Sequence, residues 1–201
     1  RDWRPQILAF SDDPERRAQL LRFSSWIEGE SGLTTAVKIL EGRGARMHIS
    51  KKRAEAELQH DIIKHNFSVF PRVVVAPSLQ IGIESVVQSY GIGALKANTI
   101  LLNWLGRWPN RYMGIYDQSF TRNLQTVNMY DCNLVMLDVK PDKWDALYQA
   151  DKKDLIIDVW WSGDSTSHLM LMMAYLMTRS ELWCDARIRL LALNDGQSSD
   201  R

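Results

Sequence analysis

Features that mark several common classes of protein are scarce in this chain of 201 residues. Its only two cysteines, Cys132 and Cys184, cannot supply the disulfide framework of a small secreted domain, and they favour a reducing, intracellular compartment. The longest apolar run, residues 169–177, is far shorter than the roughly 20 residues that a membrane-spanning helix needs. Because 25 basic side chains balance 24 acidic ones, we expect no nucleic-acid partner.

Sequence motifs for catalysis and cofactor binding are missing as well. The chain contains no G-x-S-x-G, H-E-x-x-H, G-x-x-x-x-G-K-[ST] or C-x-x-C, and its four histidines are scattered. Gly91-Ile92-Gly93 follows a predicted helix and not a strand, so it indicates the end of that helix and not a dinucleotide-binding loop. We therefore expect a protein that is not an enzyme and that holds no cofactor and no metal.

What the chain does contain is an alternation of short apolar runs and longer amphipathic stretches, which is typical of an α/β fold. Most apolar runs are continuous, as in parallel strands that are covered on both faces. The predicted strands are residues 6–10, 33–40, 72–76, 99–103, 134–139, 155–161 and 186–193. Helices are predicted from Asp13-Pro14 to the residue before Gly29, at 50–67, at 79–90, from Asp117 onward and at 166–178.

The order of these elements predicts two α/β subdomains. Residues 1–139 are expected to form a doubly wound parallel sheet with strand order 3-2-1-4-5, similar in plan to universal stress proteins. A charged stretch with Pro141, residues 140–153, predicts a linker, and residues 154–201 supply part of a second, smaller and incomplete α/β subdomain. Because the chain begins with Arg and shows no signal-peptide pattern, we expect a segment of a longer protein.

Three segments carry a more specific resemblance. Residues 156–161 read IIDVWW and are followed by an apolar helix and by the strand RIR at 187–189, while the chain opens with DWRPQ at 2–6. This order resembles the cytoplasmic C-terminal domain of cation-chloride cotransporters, which begins with NWRPQ after the last membrane helix and also contains IDVWW. Residues 91–99, GIGALKANT, are similar to the GLGRMKPNT of that family.

The resemblance implies a non-catalytic cytoplasmic domain, and we expect a prokaryotic member of the family. Such a domain supports dimerisation, folding or trafficking, and regulation of an electroneutral carrier of chloride with sodium or potassium. Its implied partners are the membrane transport domain of the same polypeptide and a second copy of the chain. Its implied place is the cytoplasmic face of the cell membrane, as part of an integral membrane protein.

Five residues are expected to have a structural or interface role: Trp3, Arg4, Asp158, Trp160 and Trp161. Strand alternation sends Trp160 and Trp161 to opposite faces, so one indole can enter the core while the other faces the first subdomain or a partner chain; the alternative is that both lie in the core. Asp158 points the same way as Trp160. If its carboxylate is buried it needs a partner, and Arg4 or the amides of the next helix are the candidates. We expect residues 158–161 to tie the two subdomains together.

The main alternative is a nucleotide-binding sensor of the stress-protein kind. Doubly wound sheets bind ligands beyond the carboxyl ends of their strands, where this chain offers Ser11, Asp12 and Asn103. However, residues 103–114, NWLGRWPNRYMG, place indoles where a phosphate cradle needs close backbone amides. A hydrolase or transferase that uses the turn at 11–13 is a further alternative, but it lacks a base or metal set.

Overall fold

The structure is a computed structural model that describes residues 3–11, 13–92, 95–104 and 130–192. The chain divides into two compact units, Arg1–Val139 and Lys140–Arg201. In the described ranges, no helix is both long enough and apolar enough to cross a membrane. The expected helix from Asp117 onward lies outside these ranges.

A five-stranded parallel sheet forms the centre of the first unit. Its strands are β1 (Gln6–Phe10), β2 (Leu33–Glu41), β3 (Phe70–Ala76), β6 (Thr99–Asn103) and β7 (Asn133–Leu137), in the spatial order β3-β2-β1-β6-β7. Every pairing between neighbours in this sheet is parallel. The strand order therefore reverses between β1 and β6, and the predicted doubly wound parallel sheet with order 3-2-1-4-5 is confirmed. The likeness to universal stress proteins stays a prediction.

Three described helices pack on this sheet: α1 (Pro14–Glu28), α2 (Met47–Lys64) and α3 (Leu79–Ser89). α1 begins where the Asp13 carboxylate accepts the Glu15 N–H at 3.0 Å, and it ends at Gly29 in the left-handed conformation. Ser78 is the N-cap of α3, and its hydroxyl accepts the Ile81 N–H. By contrast, Arg46 precedes α2 without offering a side-chain cap, so the sequence predicted the start of α2 three residues late.

Alternating side chains of the sheet build the core on both of its faces. Leu8 and Phe10 of β1 pack with residues of β2, β3, β6 and α3 in one apolar cluster, which includes Val37, Ile39, Ala76, Ile83, Val86, Val87 and Ile100. Ile7 and Ala9 point the opposite way by strand alternation and are also fully buried. β1 is thus covered on both faces, as its continuous apolar sequence predicts.

A short antiparallel hairpin follows α3 and was not predicted. β4 (Gly91–Ile92) pairs with β5 (Leu95–Lys96). The sequence indicated a helix C-cap at Gly91, but α3 ends at Ser89 with Tyr90 as the extended C-cap residue. Gly91 instead starts the hairpin with φ of 121°, a backbone conformation that favours glycine.

The second unit contains α4 (Pro141–Leu147), a 3₁₀ turn at Lys152–Asp154, and one βαβ motif. The motif consists of β8 (Ile156–Trp160), α5 (Ser165–Met177) and β9 (Arg187–Leu191). β8 and β9 pair in parallel and form a separate two-stranded sheet. Residues 140–153, where we expected a linker, thus include a helix.

Candidate functional site

The carboxyl end of the first sheet holds the residues of the nucleotide alternative. Ser11 is fully buried; its N–H donates to the Val37 carbonyl at 2.8 Å and its hydroxyl donates to the same oxygen at 3.3 Å. Asn103 ends β6, and its amide oxygen is buried without a partner among the described residues. Asp12 lies outside the described residues. Since the Ser11 hydroxyl is already bonded within the sheet, it does not offer the free donor that a phosphate would need.

A partly buried ion pair that the sequence did not reveal lies beside these strand ends. Arg17 of α1 is 3% exposed; its Nε donates to the Ser11 carbonyl at 3.1 Å and its Nη1 pairs with the Asp61 carboxylate of α2. Arg17 and Asp61 line a surface cavity of about 420 Å³ together with Pro14, Ala56, Glu57 and His60. No group of three His, Cys, Asp or Glu side chains in the described ranges is placed to hold a metal ion. Through its bonds to Asp61 and to the Ser11 carbonyl, Arg17 joins α1 to α2 and to the residue that follows β1.

At the amino ends of the parallel strands, Asn98 fixes residues 4 and 6 near the start of the chain. Its side-chain oxygen accepts the Gln6 N–H at 2.9 Å, and its side-chain nitrogen donates to the Arg4 carbonyl at 2.7 Å. The Arg4 side chain is exposed, and Trp3 is 36% exposed. The described contacts of Arg4 thus come from its backbone. Within residues 96–99, KANT, Asn98 is the residue with a structural role that the sequence analysis did not single out.

In the second unit, α5 packs on β8 and covers that strand on one side of the two-stranded sheet. Leu155 and Val159 are buried, and so are most apolar side chains in the last two turns of α5. Its Tyr175 remains 61% exposed. Tyr175 thus marks a side of this apolar helix that stays open.

The other face of the β8–β9 sheet carries an ion pair. Asp158 and Arg189 lie opposite each other in the strand register, and Arg189 Nε and Nη2 donate to the two carboxylate oxygens of Asp158 at 2.7 and 2.8 Å. The hydrogen bond from Arg189 lowers the pKa of Asp158, and the same bond raises the pKa of Arg189. The carboxylate is partly exposed, so the condition under which Arg4 or the helix amides were its candidate partners is not met, and the cross-strand Arg189 is its partner.

The indole of Trp160 extends from this same side of the sheet and is 57% exposed. Trp161 follows with a half-buried ring, whose centre lies 4.9 Å from that of His168. The alternative with both indoles in the core is therefore wrong, because Trp160 stands next to Asp158 on the uncovered side of β8. We use the name open face for the uncovered side of this sheet, formed by Ile156, Asp158, Trp160, Arg187, Arg189 and Leu191.

A groove of about 510 Å³ lies at the carboxyl end of β8, where Trp160, Trp161 and Met170 line it with residues of the turn into α5. Asp164 caps α5: its carboxylate accepts the Ser167 N–H at 2.8 Å and the Ser167 hydroxyl at 2.7 Å. These bonds, first the one from the backbone N–H, lower the pKa of Asp164. Because a carboxylate already occupies the start of the helix, the groove is not suited to a phosphate.

Comparison with solved structures shows what this fold is similar to. No protein-family model matches the chain. Its fold is similar to a crystal structure of the cytoplasmic domain of a prokaryotic cation chloride cotransporter. The TM-score is 0.54 and the sequence identity 14%, and the match covers 96% of this chain and 80% of the other. At this identity the likeness shows the fold, a five-stranded parallel α/β sheet with flanking helices.

Proposed function

We propose that this chain is the cytoplasmic domain of an electroneutral cation-chloride cotransporter, where it regulates the carrier and does not catalyse a reaction. The observation that supports this most is the fold match along 96% of the chain to a domain of that kind. The DWRPQ, KANT and IDVWW segments agree with it in sequence and in order. Its membrane transport domain would belong to the same polypeptide, and the domain would lie at the cytoplasmic face of the cell membrane.

Self-association through the second unit is part of this proposal. A parallel sheet is normally covered on both faces, whereas the open face leaves Trp160 and the Asp158–Arg189 pair exposed. An acid and a base side by side suit a twofold contact, in which each Asp158 can also face the Arg189 of the other copy. The same open face therefore provides both the apolar and the charged parts of an interface with a second copy.

The open face is too small to form such an interface alone. Five residues per strand span about 17 Å, and two strands with their margins are about 10 Å wide, which gives roughly 170 Å². A stable interface covers about 800 Å² of each partner. The contact must therefore extend beyond the open face onto neighbouring surface of the second unit.

Ion flux tests the transport part of the proposal. The polypeptide that contains this chain, reconstituted in liposomes, should take up rubidium or sodium only when chloride is present, and replacing chloride by gluconate should abolish uptake. Cation uptake that is independent of chloride would contradict the proposal. Sedimentation velocity of the 201-residue chain over a concentration series tests self-association, and a monomer at every concentration would contradict that part alone.

A further inference from the structure

The loop after β2 and the first turns of α2 form a strongly basic surface. Residues 42–54 contain five of the 25 basic side chains of the protein and none of its 24 acidic ones. They are Arg43, Arg46, Lys51, Lys52 and Arg53, and His48 lies among them. We call these residues the basic surface. The neutral overall composition hides this local excess of positive charge.

Three cations of the basic surface have no counter-ion among the described residues. Lys51 and Arg53 pair with Glu55 and Glu57 one helical turn away, at 3.6 and 3.1 Å. In the described part of the chain, Arg43, Arg46 and Lys52 form no ion pair, and all three are exposed.

An exposed apolar side chain stands among these charges. Ile49 is 76% exposed, the highest value among the large apolar side chains that the structure leaves in water. The neighbouring Met47 is half-buried and packs on Gly42, where an added Cβ would come within 2.6 Å of its sulfur. Ile49 is therefore the apolar contact that the basic surface offers.

We propose that the basic surface binds an acidic peptide segment that carries an apolar side chain next to its negative charges. Arg and Lys at this density attract a partner of opposite charge, and the unpaired cations can each form a new ion pair without breaking an existing one. Ile49 would contact the apolar side chain of the peptide. This partner is distinct from the second copy that the open face is expected to bind.

A lipid surface fits the basic surface less well. Helices that bind membranes insert a broad apolar face, but the apolar face of α2, with Ala54, Leu58 and Ile62, is buried against the sheet.

Fluorescence anisotropy with a labelled glutamate-rich peptide that has one central leucine is the test. The 201-residue chain should bind this peptide at low salt. Raising NaCl from about 0.05 to about 0.5 M should abolish the binding because the charges are then screened. The Arg43→Ala/Arg46→Ala/Lys52→Ala variant should bind about tenfold more weakly, since three exposed ion pairs are lost. Ile49→Ser should weaken binding of the leucine peptide more than binding of a peptide with glycine at the centre.

The matched control is Lys140→Ala/Lys143→Ala/Arg179→Ala, which removes three exposed cations of the second unit and should bind like the parent. Equal loss in both triple variants, or no binding by the parent chain, would overturn the proposal. So would tighter binding to phosphatidylserine vesicles than to the peptide, which would assign the basic surface to a membrane. None of these results depends on ion flux, so the basic surface and the transport proposal can fail separately.

Discussion

Replacing Asn98 by alanine tests whether the stability of the first unit depends on this one side chain at the amino ends of the strands. Asn98 bonds to the Gln6 N–H and to the Arg4 carbonyl through its side chain, and to the Gln6 carbonyl and the Asn133 N–H through its backbone. Its side-chain oxygen also accepts the Thr99 hydroxyl at 3.0 Å, so the substitution removes three side-chain bonds and leaves the backbone bonds in place. It therefore separates the anchoring of the opening segment from the pairing of the strands.

The expected loss follows from the surroundings of the three partners. Gln6 is 8% exposed and Thr99 is fully buried, so the Gln6 N–H and the Thr99 hydroxyl each stay buried without this acceptor, which costs about 1 to 3 kcal/mol per group. Arg4 is exposed, so water can replace the lost donor to its carbonyl, and this loss is about 0.5 to 1 kcal/mol. We expect Asn98→Ala to lower the free energy of unfolding by at least about 2.5 kcal/mol and the Tm by about 5 °C or more.

Urea denaturation measures this change, and hydrogen exchange locates it. The Gln6 amide should lose protection in Asn98→Ala by more than the Ala9 amide of the same strand. The control is Gln59→Ala on the exposed side of α2, which should stay within about 0.5 kcal/mol of the parent. An Asn98→Ala protein within that same range of the parent would refute the reasoning.

Three further predictions concern ion pairs and the open face. Asp61→Ala should destabilise by about 3 to 5 kcal/mol and Arg17→Met by less, because the first leaves a buried guanidinium unpaired while the second leaves a carboxylate that is 36% exposed; equal losses in urea melts would contradict this. Since Arg189 lowers the pKa of Asp158 from 3.8, the pair stabilises the fold above that pH; the parent should exceed Asp158→Asn in stability at neutral pH, and the difference should vanish as acid titration passes below the lowered pKa. Trp160→Ala should change the Tm little, because the indole is 57% exposed, yet weaken self-association in sedimentation velocity; a large fall in Tm with unchanged association would reverse this assignment.

The strands could be predicted well because strands that are buried on both faces consist of continuous runs of apolar residues. β1 and β6 have the predicted bounds, since each is a continuous apolar run between polar segments. β3 begins two residues earlier than predicted, at Phe70-Pro71. Proline is tolerated there because β3 is an edge strand of the sheet. Two-residue strands such as β4 and β5 have too few side chains to form a periodic pattern.

The partners of charged residues could not be predicted in the same way. Asp158 and Arg189 are 31 residues apart, and Arg17 and Asp61 are 44 residues apart. Identifying the first pair requires the register of β8 against β9, and identifying the second requires the packing of α1 against α2. Both pairs consist of charges on elements that were themselves predicted. What the sequence lacks is the alignment of one element with the next.

The segments that carry the family resemblance turn out to be joined to one another by hydrogen bonds. Asp158 of IDVWW holds Arg189 of RIR, and Asn98 of KANT holds the backbone of DWRPQ. Each pair couples residues that are distant in sequence: the first lies across β8 and β9 in the second unit, and the second joins the start of β1 to the residue before β6 in the first unit. These contacts bear on how each unit is held together, and for that reason the transport proposal needs ion flux as its own test.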